Sequence, residues 1–214
     1  MMTRLLALAC MVVLAGCGGG SGGGNPLAQG PASAQNVADN SSDFPGLTKC
    51  PESGSYDNYL KAEQTKAPDQ YASDKITWDD LKKSGANDSY VAIYAANTSD
   101  CGQFGSGTPS GKVAYVYAFR FKDSTTAAAS FKADSKDFHL SDSDIASLKA
   151  AGGTAQQGAA TGLGDNSVVL SISIADVAVY VAFWQNKQFE VAMLAFNEPA
   201  IGASAATKIN GRVH

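Results

Sequence analysis

The chain has 214 residues, 16 basic against 20 acidic side chains, a net charge of −4 and 44% apolar residues. No basic stripe runs through it, which excludes nucleic acid as an expected partner. Its length, less the N-terminal segments described next, fits one domain.

Arg4 supplies a short positive region, and Leu5 to Ala15 is an apolar run of 11 residues. That run is shorter than the ~20 apolar residues needed to span a bilayer and has the form of a secretory signal peptide, residues 1–16. It closes on Leu14-Ala15-Gly16-Cys17. These four residues resemble the lipobox of bacterial lipoproteins, in which cleavage leaves the cysteine as the new N-terminus and its thiol carries the lipid. The resemblance covers residues 1–17 and implies a signal-processed, lipid-anchored, extracytoplasmic protein, with Cys17 bearing palmitate-type fatty chains. Two such chains anchor stably where one is marginal. Gly18, not Asp, follows the cysteine, and the host's envelope type stays open.

Residues 17–46 are rich in Gly, Ser, Ala, Asn and Pro and poor in apolar side chains. Such a segment buries too little surface to offset its ordering entropy, so it reads as a tether with a reach on the order of 30 Å. The domain is expected over 47–214. Once Cys10 leaves with the signal and Cys17 takes lipid, Cys50 and Cys101 remain as an even pair in an oxidising compartment. Their spacing is no C-x-x-C redox motif, so a structural disulfide is expected; it would be worth up to about 4 kcal/mol by loop closure.

Tyr56 to Lys66 reads as a helix, with Tyr56, Tyr59 and Leu60 on one face and Ser55 as cap. Thr77 to Ser84 reads as a short helical turn edged by Trp78 and Leu81 and stopped by Gly85. Tyr90 to Asn97 is a strand, and Thr98 to Gly111 a long loop. Lys112 to Phe121 is the clearest strand: Val113, Tyr115, Tyr117, Phe119 and Phe121 alternate with Ala114, Val116, Ala118 and Arg120. Ser124 to Ser135 is a helix capped by Asp123 or Ser124. Ser141 to Ala151 is another, with Ser141 and Asp144 spaced as a capping box. Ala155 to Gly164 reads as loop. Strands follow at Asn166–Ile174, Ala178–Gln185 and Gln188–Phe196, joined tightly at Ala175-Asp176 and Asn186-Lys187 as an antiparallel meander. Pro199 then opens a final helix over Ala200–Ile209. The strand–strand–helix order recurs. The expected fold is α+β: an antiparallel sheet with helices mainly on one face and two loosely similar halves.

Few motifs carry chemistry. Gly105 to Lys112 ("GSGTPSGK") fails as a phosphate loop, because Ser106 and Val113 occupy consensus positions and a strand follows where a helix N-terminus is needed. The histidines are His139 and His214. His139 stands among Asp134, Asp137, Asp142 and Asp144 in a spacing that matches neither a zinc nor a calcium signature; it reads as a solvated connection between helices. No catalytic residue, metal ligand or cofactor is assigned.

The aromatic stripe leaves two arrangements open. Its rings pack under helices, or helices lie over the alanine side and the rings form an open binding face. Tyr115 and Tyr117, with the Gly102–Gly111 loop, are the candidate ligand contacts. Thr161 to Ser167 ("TGLGDNS"), where Gly162 and Gly164 call for positive φ, leads into the meander and the alanine-rich last helix. This last part resembles extracytoplasmic sensor-like domains of actinobacterial lipoproteins and receptor-kinase ectodomains. It departs from them in a C-terminal helix whose basic residues are only Lys208 and Arg212. The resemblance implies ligand or protein contact without catalysis. The expected function is a non-catalytic, membrane-anchored binding or sensor module whose partner is a small molecule, glycan or protein. The alternatives are a cell-envelope hydrolase using acids near His139, and a structural envelope protein that pairs through a sheet edge.

Overall fold

The computed structural model describes residues 32–102, 109, 111–135, 140–174 and 177–213. The expected signal peptide, Cys17, most of the 103–110 loop, Asp137, both histidines and the Ala175-Asp176 turn lie outside these residues.

The elements run α1 (Ala34–Ala38), β1 (Thr48–Lys49), α2 (Tyr56–Lys66), α3 (Pro68–Lys83), β2 (Ala86–Ala95), β3 (Val113–Phe121), α4 (Ser124–Asp134), α5 (Asp142–Ala150), β4 (Thr154–Gln157), β5 (Ser167–Ile174), β6 (Val177–Asn186), β7 (Phe189–Phe196) and α6 (Pro199–Gly211). The seven strands form one open antiparallel sheet in the order β1-β2-β3-β7-β6-β5-β4. The fold is the expected α+β class. The halves meet where β3 pairs with β7, placing Tyr115 opposite Leu194 and Tyr117 opposite Ala192. Both edges are short, two residues in β1 and four in β4, which leaves little unpaired backbone for another chain to join.

Alternation sorts β3 as read. Ala114, Val116 and Ala118 enter one core with Tyr90, Tyr94, Trp184, Val191 and Met193, covered by α1 and α6. Val113, Tyr115, Phe119 and Phe121 enter another with Trp78, Leu81 and Ala127, under α2, α3 and α4. Leu148 of α5 covers Val168 and Leu170 on that same side. Four helices thus lie on the second face and two on the first. On the first face α6 comes very close: a Cβ at Gly202 would stand 2.7 Å from the Tyr180 ring and 3.0 Å from Ala195 Cβ. Only a residue without a side chain fits that contact.

Three segments differ from expectation. Residues 32–46, expected as the end of the tether, are part of the fold. Ser33 caps α1 by accepting from Asn36 N–H, and Val37, Ala38 and Phe44 are fully buried on the first face. Burying Val37 and Phe44 is worth roughly 1.5–3 kcal/mol each. These two large apolar residues stand far apart in a Gly/Ser/Asn-rich stretch, so composition alone hid them. Arg212 closes the junction, donating to Val37 O at 2.7 Å and pairing with the buried Asp43 at 2.6 Å. Helix α3 starts at Pro68, nine residues before the expected Thr77, with Pro in its first turn. Its inward residues include Asp74 and Asp80, which masked the apolar face. The start of the Ala155–Gly164 segment read as loop belongs to edge strand β4 (Thr154–Gln157), a half-exposed segment without β-branched alternation.

Candidate functional site

The second face carries the chemistry. Ser55 caps α2. The helical spacing then turns Tyr56, Tyr59, Leu60 and Glu63 inward together, so an acid shares the apolar stripe. Trp78 of α3 donates from Nε1 to Asp57 Oδ1 at 2.8 Å, tying the two helices. The disulfide Cys50–Cys101 holds the segment before α2 against the turn that follows β2, with Cα atoms 5.4 Å apart. Glu52 lies close to both sulfurs. The disulfide consumes the thiols, so this group offers a metal no thiolate pair.

These elements assemble an aromatic cluster over β3. The Tyr56 ring lies 5.4 Å from Trp78, 5.3 Å from Phe119 and 5.5 Å from Tyr59. Tyr59 meets Tyr117 edge-on at 5.9 Å, and Tyr115 stacks on Tyr117 at 6.4 Å. The candidate residues are therefore beneath helices rather than on an open face. Tyr115 is buried, while Tyr117 stays partly exposed. Burial pushes the Tyr115 hydroxyl up to about 12 and those of Tyr59 and Tyr117 well above the usual phenol range, so all three keep their protons at neutral pH.

Tyr117 borders a strip of partly covered apolar side chains. Along its flank Leu194 and Phe196 of β7 and Val181 of β6 are only partly covered, although their strands are central in the sheet. The register explains this. Tyr115, Leu194, Val181 and Leu170 form one row across four strands. Helices α2 and α3 cover its Tyr115 end and α5 its Leu170 end. Helix α4 sits to one side, where Phe131 stacks on Phe183 at 4.8 Å.

Two buried carboxyl pairs lie on this face. Glu63 is wholly buried, with Tyr59 and Asp74 beside its carboxyl. Asp74 of α3 is its charged neighbour and accepts from Gln70 Nε2 at 2.8 Å. Burial and then the Asp74 charge push Glu63 up to about 8, and burial raises Asp74. On β7, Glu190 is buried beside Asp134 and Ser130 of α4, and burial followed by Asp134 pushes it far above its usual range. Of the acids around His139, Asp134 thus belongs to this second pair. Asp144 completes the capping box of α5, accepting from Ser141 N–H at 2.9 Å, and Asp142 opens the same helix.

Sequence reasoning reached Tyr115 and Tyr117 and missed Glu63, Asp74 and Glu190. Two of these had a readable signal. Glu63 falls on the inward stripe seven residues after Tyr56, and Glu190 falls in phase with Ala192, Leu194 and Phe196.

The Thr161–Ser167 loop is turn geometry, as expected. Gly162 and Gly164 have φ of 75° and 114°, and Ser167 Oγ donates to Gly164 O at 2.5 Å. It borders a shallow polar hollow of about 460 Å³ with Gln185, Lys187 and Asn210. The amides of that hollow largely bind one another: Asn166 donates to Gln185 at 2.6 Å and Asn186 to Asn210 at 2.8 Å.

No helix among the described residues is long and apolar enough to cross a membrane. No protein-family model matches the chain, and no curated protein matches it. Among solved structures, it is similar to the extracellular domain of PknH from Mycobacterium tuberculosis, with a TM-score of 0.42 and 10% identity over 85% of this chain and 98% of that one.

Proposed function

We propose that this protein is a non-catalytic, extracytoplasmic binding module, held to a membrane by lipid on Cys17, whose ligand lies along the apolar strip on the second face. One observation carries the binding reading. Apolar side chains of central strands, Leu194, Phe196 and Val181, stay partly uncovered beside Tyr117, while Ala182, Val191, Met193 and Ala195 of the same two strands are fully buried on the first face. Apolar surface left open in the middle of a sheet, rimmed by a few polar groups, is what a small-molecule site requires. The Cys50–Cys101 disulfide supports an oxidising compartment, and the Leu14–Cys17 motif supports the anchor. Tyr115 and Tyr117 form the aromatic wall against which the ligand packs.

Two measurements test this. Wild-type chain should fractionate with membranes and the Cys17→Ser chain should not; equal recovery removes the anchor. The neutral apolar fluorophore N-phenyl-1-naphthylamine should bind with saturable enhancement. Leu194→Ser and Val181→Thr should each weaken it at least tenfold without loss of cooperative unfolding. Unchanged binding in both variants defeats this reading.

A further inference from the structure

Residues 32–46 are held to the first face without sharing its backbone ladder. Their backbone bonds close locally, Val37 N–H to Ser33 O at 3.1 Å, Asp39 N–H to Gln35 O at 2.8 Å and Phe44 N–H to Ser41 O at 3.2 Å, and among the described residues none joins the segment to the sheet. Each polar tie across the junction has a side chain at one end or both. Ala34 N–H donates to Asp88 Oδ2 of β2 at 2.8 Å, and Arg120 Nε of β3 lies 3.7 Å from that same oxygen. Asp39 accepts from Lys49, Tyr90 and Tyr94. Asp43 pairs with Arg212, which also donates to Val37 O. Phe44 stacks on Tyr94 with ring centroids 4.3 Å apart. A segment bound in this way leaves without breaking a strand ladder, so its opening costs side-chain contacts alone.

The segment ends on a pivot. Gly46 has a φ of 80°, and a Cβ there would meet nothing within 4 Å, so the backbone can turn at this point without striking a neighbour. Beneath the segment, α1 packs on β2 and β3, whose first-face side chains include Tyr90, Ala92, Tyr94, Ala114 and Val116. We infer that residues 32–46 are a latch, which swings open as a unit about Gly46 while the seven-stranded sheet stays folded and so bares a groove of tyrosine and small apolar side chains on the first face. The chain ahead of residue 32 runs directly into this latch, so a pull on it loads the latch before the sheet. The charged ties, Asp88 with Arg120, Asp39 with Lys49 and Asp43 with Arg212, all pair a carboxylate with a cation, and acid weakens such pairs. Burial alone would raise Asp39, but its bonds from Lys49, Tyr94 and Tyr90 outweigh burial and hold it below its usual value. A carboxyl held low favours the closed latch at neutral pH and ceases to do so as the pH falls through its folded value. Glu63, held high, acts in the opposite sense and favours the fold in acid. Acid therefore separates the latch from the sheet.

Peptide-resolved hydrogen exchange on the full chain tests this. At neutral pH the amides of 37–44 should exchange about tenfold or more faster than those of β2 and β3. Asp39→Asn and Arg212→Gln should each speed 37–44 by about a further tenfold and leave β2 and β3 within about twofold of the unaltered chain. Near pH 2.5, pepsin should cut between Val37 and Leu47 before it cuts any bond in β2 or β3, with the far-ultraviolet circular dichroism of the sheet retained. Exchange of 37–44 at the rate of β2 and β3 in the unaltered chain overturns the latch, and so does peptic cleavage that begins in those strands. Equal acceleration of 37–44 and the two strands in both variants also overturns it, since the segment would then open only with the sheet.

Discussion

The two faces of the sheet are closed by different means. On the first face, small residues let α6 approach until Gly202 touches the Tyr180 ring. At its rim Asp39 accepts from Tyr94 at 2.9 Å, from Tyr90 at 3.0 Å and from Lys49. Burial alone would push Asp39 up, and these bonds outweigh it and hold the carboxyl low. The second face uses large rings, leaves central side chains partly open and buries acids beside one another. Close packing with satisfied polar groups serves stability. Carboxyls buried side by side cost stability and are retained where they do something else.

The largest expected effect falls on the second face. Replacing both Cys50 and Cys101 by Ala frees a loop with a sequence separation of 51 and should cost about 4 kcal/mol. Hydrogen exchange should accelerate over α2 and α3 well before α6; uniform acceleration would show that the faces do not unfold separately.

The buried acids set the next effect. A carboxyl raised in the folded chain holds a proton that the unfolded chain releases, so stability falls as pH climbs through the interval between the two values. For Glu63 that interval runs from the usual 4.5 to about 8, and the raised Asp74 and Glu190 act in the same direction. The melting temperature should therefore be higher at pH 5 than at pH 8. Glu63→Gln should flatten the profile and stabilise the chain by roughly 3 kcal/mol at pH 9. A profile that rises with pH would contradict the assignment.

On the first face, Gly202→Ala should cost roughly 2 kcal/mol by overpacking against Tyr180, outweighing the ~1 kcal/mol that alanine gains inside a helix. Denaturant unfolding measures it. The smallest change is Ser141→Ala, which removes the α5 cap for about 1 kcal/mol. Only Leu148 of that helix is buried, so amide exchange should quicken over 142–150 alone.

Legibility followed the same divide. Strong period-2 alternation made β3 and the three-strand meander readable, and cap chemistry located α4 and α5 to within a residue. What stayed hidden was structure whose inward residues are polar or sparse: Asp74 disguised the first half of α3, and Val37 and Phe44 are too far apart to announce a folded segment. The site was half legible for the same reason. Alternation reports which face Tyr115 and Tyr117 occupy, but not which helices will cover them. Spacing puts Glu63 on the inward stripe of α2, but spacing does not say that Asp74 of α3 will be buried beside it.

Arg212 grips Val37 and Asp43, and the first described residue, Ala32, already sits in the first-face core. The polypeptide thus enters the globule on the side remote from the apolar strip. An attachment made ahead of Ala32 therefore joins the globule on the face opposite Leu194 and Val181 and leaves those side chains uncovered where it meets the fold.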